Sequence, residues 1–561
     1  MEKLKSVVKE NLFFIIFYII VIGYSIYRMY SPAIWNDEIY TYTFFASRGV
    51  FYSMTHYASN NHLLFTVLSC FLRWFLPYIA LRGVSFISSV LSVLFLYLLL
   101  KKIYSNFLAT LGCMVFCWSW LTNFFALQGR GYALATLFLI LALWSGYEIV
   151  YREANSVPGV KQEESFTRYH MIFMLSLFCG MYTIISSGFW ALPVSLSLGI
   201  AVLFTGRYKR LKKLILAAVI ALILFVLAYF LMISSIGALA IRFAGGSISH
   251  LDALKTLILH PIQSFKQGMQ GIMDLGFFQH FKLEGEAMLR MVWIMCASII
   301  FSFTRISVGD KSVIVLLTLS AVTLIFVLYL FFFNKKEGNR TTDKVFTGLV
   351  VAVGIPIAVL LFWIQSMETF TRVFSYMGVY MAFLFVFYID LIAGVVRRFS
   401  IRDANESELQ ATRFADEAPT AQRKKRTAGI THRQFFAVQL ACFLALFVFF
   451  ISQMFDPYWD CEYDENEQWA IDAIENIDWE GIQTYGSNDV YANYQTNFWR
   501  NYVAKEEVIY DVDNPDVIII SPKPFDGIWP FNITAEENAR LERSLKGRIL
   551  IYDNGWYEVY K

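Results

Sequence analysis

Stretches of about 20 mostly apolar residues recur along this chain, and a run of that length spans the roughly 30 Å hydrocarbon core of a bilayer as a helix. Twelve can be read off: 12–30, 84–100, 107–125, 132–150, 170–187, 189–205, 214–236, 288–304, 312–333, 345–365, 373–395 and 435–455. Of the 561 residues, 57% are hydrophobic and 16% charged, against about 25% charged in ordinary soluble domains. The chain is therefore expected to be an all-α polytopic membrane bundle. The segment 62–80 is apolar too, but Arg73, Pro77 and Arg82 interrupt it, so a helix lying at the membrane surface is expected there. Lys3, Lys5 and Lys9 precede the first span. That span is long enough to cross and no small-x-small cleavage site follows, which predicts an uncleaved anchor with a cytoplasmic N-terminus.

Basic clusters orient such a bundle, because Lys and Arg favour cytoplasmic loops. Lys101-Lys102, the stretch 151–168 and Arg207 to Lys213 share the side of the N-terminus, which places 31–83, 126–131 and 237–287 outside. Arg397-Arg398 and Arg423 to Arg426 make 397–434 cytoplasmic, and the acidic tail from Asp456 then lies outside. Lys335, Lys336, Arg340 and Lys344 mark 334–344 as cytoplasmic as well. Twelve crossings cannot satisfy these charges, since an even number returns the tail to the starting side. An odd count is expected, 11 or 13, with the error in 62–83 or 237–311.

The chain divides into a membrane domain, 1–455, and a soluble extracytoplasmic domain, 456–561. In the latter, Val517 to Ile520 reads as a buried strand, and 548–560 as a hairpin with an Asn554-Gly555 turn. Thr534 followed by Glu536 and Glu537 opens a helix. A small α/β domain is expected. The net charge of +3 excludes nucleic acid as a natural partner. Of seven cysteines only Cys461 falls in the tail, so no disulfide framework exists there. Cys113 and Cys117, one helical turn apart in an apolar span, are packing residues rather than a metal pair.

Candidate chemistry collects in the external segments. Asp37 and Glu38 follow the first span directly; their plainer role would be to complement a helix N-terminus. His56 and the Asn61-His62-Leu63 segment follow, where a histidine could bind phosphate, a metal beside a carboxylate, or simply backbone. In Gln128-Gly129-Arg130-Gly131-Tyr132, an arginine between glycines would leave its guanidinium and neighbouring backbone N–H groups open to an anion. Arg372 with Tyr376 opens a later span at the same face. Each arginine alone is an ordinary interface anchor; together these residues place carboxylates, a histidine and two cations at one rim.

In order and membrane side these motifs resemble the C-type membrane glycosyltransferases that use polyprenyl-phosphate sugars, specifically the protein O-mannosyltransferase and aminoarabinose lipid A transferase branch. The features carrying the likeness are Asp37-Glu38, Asn61-His62-Leu63 with Leu81-Arg82, Arg130-x-Tyr132, and Arg372 with Tyr376, and it covers residues 1–395 in layout. It implies an inverting sugar transfer from a lipid phosphate to a protein, lipid or wall-polymer acceptor at the plasma membrane, with membrane lipids as surroundings. Asp37 and Glu38 would be catalytic, Asp37 as a base strengthened by burial. Asn61, His62, Arg130, Tyr132, Arg372 and Tyr376 would hold substrate. The cofactor is undetermined; a divalent ion on Glu38 and His62 is the one candidate. The family often has an acid just before the third-motif arginine, and Gln128 stands in that neighbourhood here; Asp274, His250, His260 or His280 could substitute. The rival reading, a lipid-linked glycan transporter, should distribute charge through its spans and show repeats. A third, a scaffold presenting the acidic tail, leaves the Asp37, Glu38 and Arg130 grouping without a purpose.

Overall fold

The computed structural model describes residues 2–30, 34–56, 61–151, 167–204, 208–243, 250–274, 282–333, 339–366, 370–394, 432–454, 465–522, 524 and 533–561. The predicted 397–434 loop falls almost wholly outside them, as do Cys461 and His280, and the side chains of His250 and Asp274 are likewise not described. Each predicted span coincides with a helix: Leu12–Tyr30, Pro77–Ile103, Asn106–Trp118 with Trp120–Ala126, Tyr132–Tyr151, Arg168–Thr183, Gly188–Phe204, Tyr208–Phe243, Gly285–Thr304, Ser312–Phe333, Asn339–Gln365, Met377–Gly394 and His432–Met454. Among the described residues nine helices are long and apolar enough to cross a bilayer, and a bent pair makes a tenth. The bent pair breaks by 74° at Ser119, whose hydroxyl accepts the Thr122 N–H and so starts a second helix inside the apolar run. Pro77, with its φ already helical, opens a helix seven residues earlier than hydropathy suggested. The segment 62–80 is thus two pieces, a ten-residue helix Leu63–Leu72 too short to cross and the first turn of a span.

The two ends of the bundle differ chemically. At one, Tyr97 donates to Asn11 (2.6 Å), Lys102 pairs with Glu148, Lys344 pairs with Asp390 (2.5 Å), and the Tyr104 and Thr347 hydroxyls meet at 2.6 Å. The opposite end carries 34–56, 127–131, Ser366 and 370–376. This polarity resolves the conflict between loop charge and span count. The Leu283 N–H donates to the Ser366 carbonyl at 2.9 Å, so helix Gly285–Thr304 starts at the second end. Ser312, which opens the following helix, donates back to the Trp293 carbonyl at 2.9 Å. Leu316 then shares one apolar cavity with Val292, Phe362 and Phe374. From there Ser312–Phe333 descends until Phe331 stacks on Phe204, 4.3 Å between centroids. The predicted span 288–304 therefore enters and returns at the same end. Removing it from the twelve predicted spans leaves eleven, which is odd, and brings the helix ends flanking the basic run 335–344 to the basic end. Hydropathy counts apolar residues, and a re-entrant helix can carry as many as a crossing one.

The soluble domain begins with helix Glu465–Glu475 and builds a five-stranded sheet from β1 (Thr484–Ser487), β2 (Ile509–Tyr510), β3 (Val517–Ile520), β4 (Leu550–Asp553) and β5 (Glu558–Tyr560), in the order β2-β1-β3-β5-β4. β1 pairs in parallel with β2 and β3, while β5 runs antiparallel to β3 and β4. The predicted hairpin is β4–β5. Asn554 Oδ1 accepts the Trp556 and Tyr557 N–H groups, and Gly555 takes φ +82°, which costs glycine least. Thr534 and Glu537 form the capping box expected of helix Ala535–Ser544.

Candidate active site

Helix Asn36–Phe44 follows the first span after a short connection, and Trp35 in extended conformation is its N-cap. Glu38, at the third helical position, folds back to accept the Trp35 N–H at 2.9 Å. The same carboxylate takes a two-pronged bond from Arg82, Nε to Oε1 at 2.8 Å and Nη2 to Oε2 at 2.6 Å, and accepts the Gly129 N–H. Glu38 is fully buried and Arg82 nearly so. Four donors fill the four lone-pair directions of a carboxylate, so Glu38 is saturated and holds together three segments that are remote in sequence. Ser85 completes the brace by donating to the carbonyls of Gln128 (2.6 Å) and Arg130 (3.0 Å). Glycine is required in this turn by close approach. A Cβ on Gly129 would meet Glu38 Oε1 and the Leu81 carbonyl at 2.8 Å, and one on Gly131 would meet Thr183 at 2.6 Å.

The braced turn delivers Arg130 to Asp37. Asp37 Oδ2 lies 2.9 Å from Arg130 Nη1 and 2.8 Å from Arg372 Nη1, joining three segments of the chain in one buried cluster. The Arg130 side chain is 2% exposed and that of Arg372 19%, with its guanidinium over the Phe370 ring at 4.5 Å. Arg372 is thus the cation that solvent or a ligand reaches. His62, N-terminal to helix Leu63–Leu72, accepts the Gly131 N–H on Nδ1 at 2.8 Å and turns Nε2 toward Arg130 Nη2 at 3.3 Å. Burial, then Arg130, then Arg372 hold its pKa well below the usual imidazole range. His62 is accordingly neutral near pH 7, with Nδ1 engaged by the Gly131 N–H and Nε2 beside the Arg130 guanidinium.

Several expectations need correction. The backbone N–H groups of Gly129 and Gly131 are not open to an anion; they serve Glu38 and His62. Glu38, expected to be catalytic, has all four acceptor directions taken by Trp35, Arg82 and Gly129. Asn61 donates to the carbonyls of Ser53 and His56 (2.8 Å each), fixing the loop behind His62. Tyr376 donates to the Phe189 carbonyl at 3.3 Å, and Tyr132 sets its ring edge-on to His62, 5.2 Å between centroids. Both line a small pocket with Thr136, Ser187, Trp190 and Ser375, beside the ionic cluster rather than in it. Asp37, expected to act as a base, lies paired with two guanidinium groups. His260 is exposed, away from the cluster. Arg82 and Ser85 were not singled out as site residues. An arginine in the first turns of an otherwise apolar span was the available signal, since such a charge is costly unless paired.

A divalent ion does not fit the two residues proposed for it. Glu38 has no lone pair to spare, His62 Nδ1 is occupied, and Nε2 faces a cation. Among the described residues no three His, Cys, Asp or Glu side chains are grouped to hold a metal. Cys113 and Cys117 are both buried in the hydrophobic core.

No family model matches the sequence, and no curated protein matches it. In architecture the chain is similar to ArnT from Cupriavidus metallidurans, solved bound to undecaprenyl phosphate, with TM-score 0.50 and 10% identity over 98% of this chain and 97% of that one. It is also similar to the archaeal oligosaccharyltransferase AglB from Archaeoglobus fulgidus in complex with an inhibitory peptide and a dolichol-phosphate, with TM-score 0.41 and 12% identity over 92% of this chain and 70% of that one. The first likeness runs nearly end to end in both chains, soluble domain included, and shows a shared fold.

Proposed function

We propose that this chain is a membrane glycosyltransferase that moves a sugar from a polyprenyl-phosphate carrier to an acceptor hydroxyl or amine at the site end of the bundle. The observation that carries the reading is the buried Asp37 carboxylate held between Arg130 and Arg372. Polyprenyl phosphate needs little help to leave: as the bond from the anomeric carbon to phosphate oxygen breaks, the phosphate gains a second negative charge. Two arginines match that charge where it develops. The acceptor attacks from the opposite face with inversion and loses its proton to Asp37. The ion pairs supply the timing. A lipid phosphate that engages the more exposed Arg372 would take one of the two cation partners from Asp37.

Under this reading the site end is external and the basic end cytoplasmic, as the positive-inside rule requires, in a plasma-membrane protein acting on the cell envelope. A hexose donor of the mannosyl-phosphate type suits the likeness noted in the sequence. The shared architecture with a protein solved bound to undecaprenyl phosphate supports a lipid-phosphate ligand. Charge placement weighs against a carrier: the described ion pairs of the membrane domain gather at the two ends, with none at mid-depth among the described residues.

The test begins with protein purified in lipid nanodiscs and native mass spectrometry of the lipid that accompanies it. A phosphorylated polyprenyl lipid is expected, and Arg130→Ala should lose it. The wild type, supplied with a panel of polyprenyl-phosphate sugars, should release free polyprenyl phosphate as one sugar is transferred. Absence of any polyprenyl phosphate binding, or binding unaffected by Arg130→Ala, would sink the proposal.

A further inference from the structure

We infer that the soluble domain is part of the active site, and that Gln495 is a positioning residue holding the start of helix Asn36–Phe44 so that Asp37 meets Arg130 and Arg372. The inference rests on the reading of Asp37 as the base.

Helix Asn36–Phe44 has nine residues, too few to fix its own position, since isolated helices of that length are marginal. What holds it from the side away from the membrane domain is helix Val490–Thr496 of the soluble domain. Gln495 is fully buried. Its Nε2 donates to the Ile34 carbonyl at 2.6 Å and lies 3.5 Å from Asn36 Oδ1, so it grips the residues on either side of the Trp35 N-cap. Its Oε1 accepts the Trp499 indole N–H at 3.1 Å, which sets the orientation of the amide. Around this bond Ile34, Ile39 and Leu81 share one hydrophobic core with Val490, Tyr494 and Phe498. The π-helix Asn497–Ala504 that follows brings Phe498 and Tyr502 both to Tyr42, each ring at 6.0 Å. The grip is anchored in the sheet domain: Asp489 caps helix Val490–Thr496 and accepts the Tyr557 hydroxyl at 2.7 Å. Tyr494 sets its ring edge-on to Tyr40, one turn beyond Asp37. Burial, then Tyr40, then Asp37 raise its phenol pKa, which places the carboxylate within electrostatic reach. A continuous set of hydrogen bonds and ring contacts thus leads from the sheet to the base.

The experiment compares full-length Gln495→Leu and Gln495→Glu with Leu541→Ala, a change in a separate buried cluster of the same domain, packed with Val512 and Ile518. Turnover, KM for the lipid donor, polyprenyl phosphate affinity and melting temperature are measured for each. A small misplacement of a reacting group costs roughly 10–100-fold in rate. Both Gln495 variants should lose kcat on that scale while polyprenyl phosphate affinity stays within about twofold of wild type, because Ser85, on helix Pro77–Ile103, holds the Arg130 turn from a different element. Leu541→Ala should lower the melting temperature and spare kcat. Should the Gln495 variants fail to fold, Trp499→Phe keeps the amide but frees its orientation, and a several-fold fall in kcat is expected. Wild-type kcat in the folded variants, or an equal loss of kcat in Leu541→Ala, overturns the inference. Asp37→Asn run alongside separates the two claims. If it transfers at the wild-type rate, the base assignment has failed. If it is inactive while the Gln495 variants turn over normally, only the positioning role has failed.

Discussion

Asp37 and Glu38 are adjacent carboxylates of the same helix turn, yet they inhabit opposite environments. Glu38 is sealed from solvent, its four acceptor directions filled by Arg82, Trp35 and Gly129. Asp37 has two arginine partners, one buried and one 19% exposed. The difference separates architecture from chemistry. A saturated charge has nothing left to offer a substrate, whereas a charge paired with a solvent-reached cation lies where a ligand can compete for that cation.

The contrast is broken most severely by removing Glu38. Glu38→Ala strands the buried Arg82 and should cost about 3–5 kcal/mol, the usual penalty for breaking a buried pair. The check is thermal unfolding in detergent or nanodiscs, and the double variant Glu38→Leu with Arg82→Met should recover much of the loss. Next is Arg130→Ala, expected to lower transfer about 10²–10³-fold by removing a fixed cation from the developing phosphate charge. Arg372→Ala, its more exposed counterpart, should cost less in rate and raise KM for the lipid donor, read from steady-state kinetics. Gly131→Ala tests the turn. The added Cβ meets Thr183 at 2.6 Å, so about 1–3 kcal/mol of stability should be lost, as in overpacked cores.

The smallest effect belongs to His62. Its folded pKa lies below the unfolded value near 6.5, so the unfolded chain binds the extra proton first as pH falls. The stabilisation from the neutral ring is complete above about pH 6.5 and declines between that value and the lower folded pKa. His62→Gln should flatten this limb of a melting-temperature profile; an unchanged limb assigns it to another group.

Much of this was legible in the sequence, for identifiable reasons. Asp37, His62, Arg130 and Arg372 were recoverable because each adjoins a span end, and span order with basic loops assigns those ends to one face. The strand Val517–Ile520 and the Asn554-Gly555 turn were local signals, and local signals survive. Glu38 could not be told from Asp37, because its role depends on Arg82 and on a backbone N–H at Gly129, and sequence spacing carries neither contact. The re-entrant course of Gly285–Thr304 was hidden because apolar length does not say whether lipid or protein surrounds a helix; the parity of loop charges did flag the region. The grip of Gln495 on Ile34 joins residues more than 400 positions apart and left no trace in composition.

The most direct test of the division between the two carboxylates sets Asp37→Asn beside Glu38→Gln in the same nanodiscs. Transfer from a polyprenyl-phosphate sugar, polyprenyl phosphate affinity and melting temperature are read together. Asp37→Asn should lose transfer by about 10²–10⁴-fold, the range for a missing general base, while binding polyprenyl phosphate at least as tightly as wild type. Glu38→Gln should suffer the larger drop in melting temperature and retain transfer in whatever fraction stays folded. Wild-type transfer by Asp37→Asn, or a Glu38→Gln protein that melts normally and is inactive, would contradict the account.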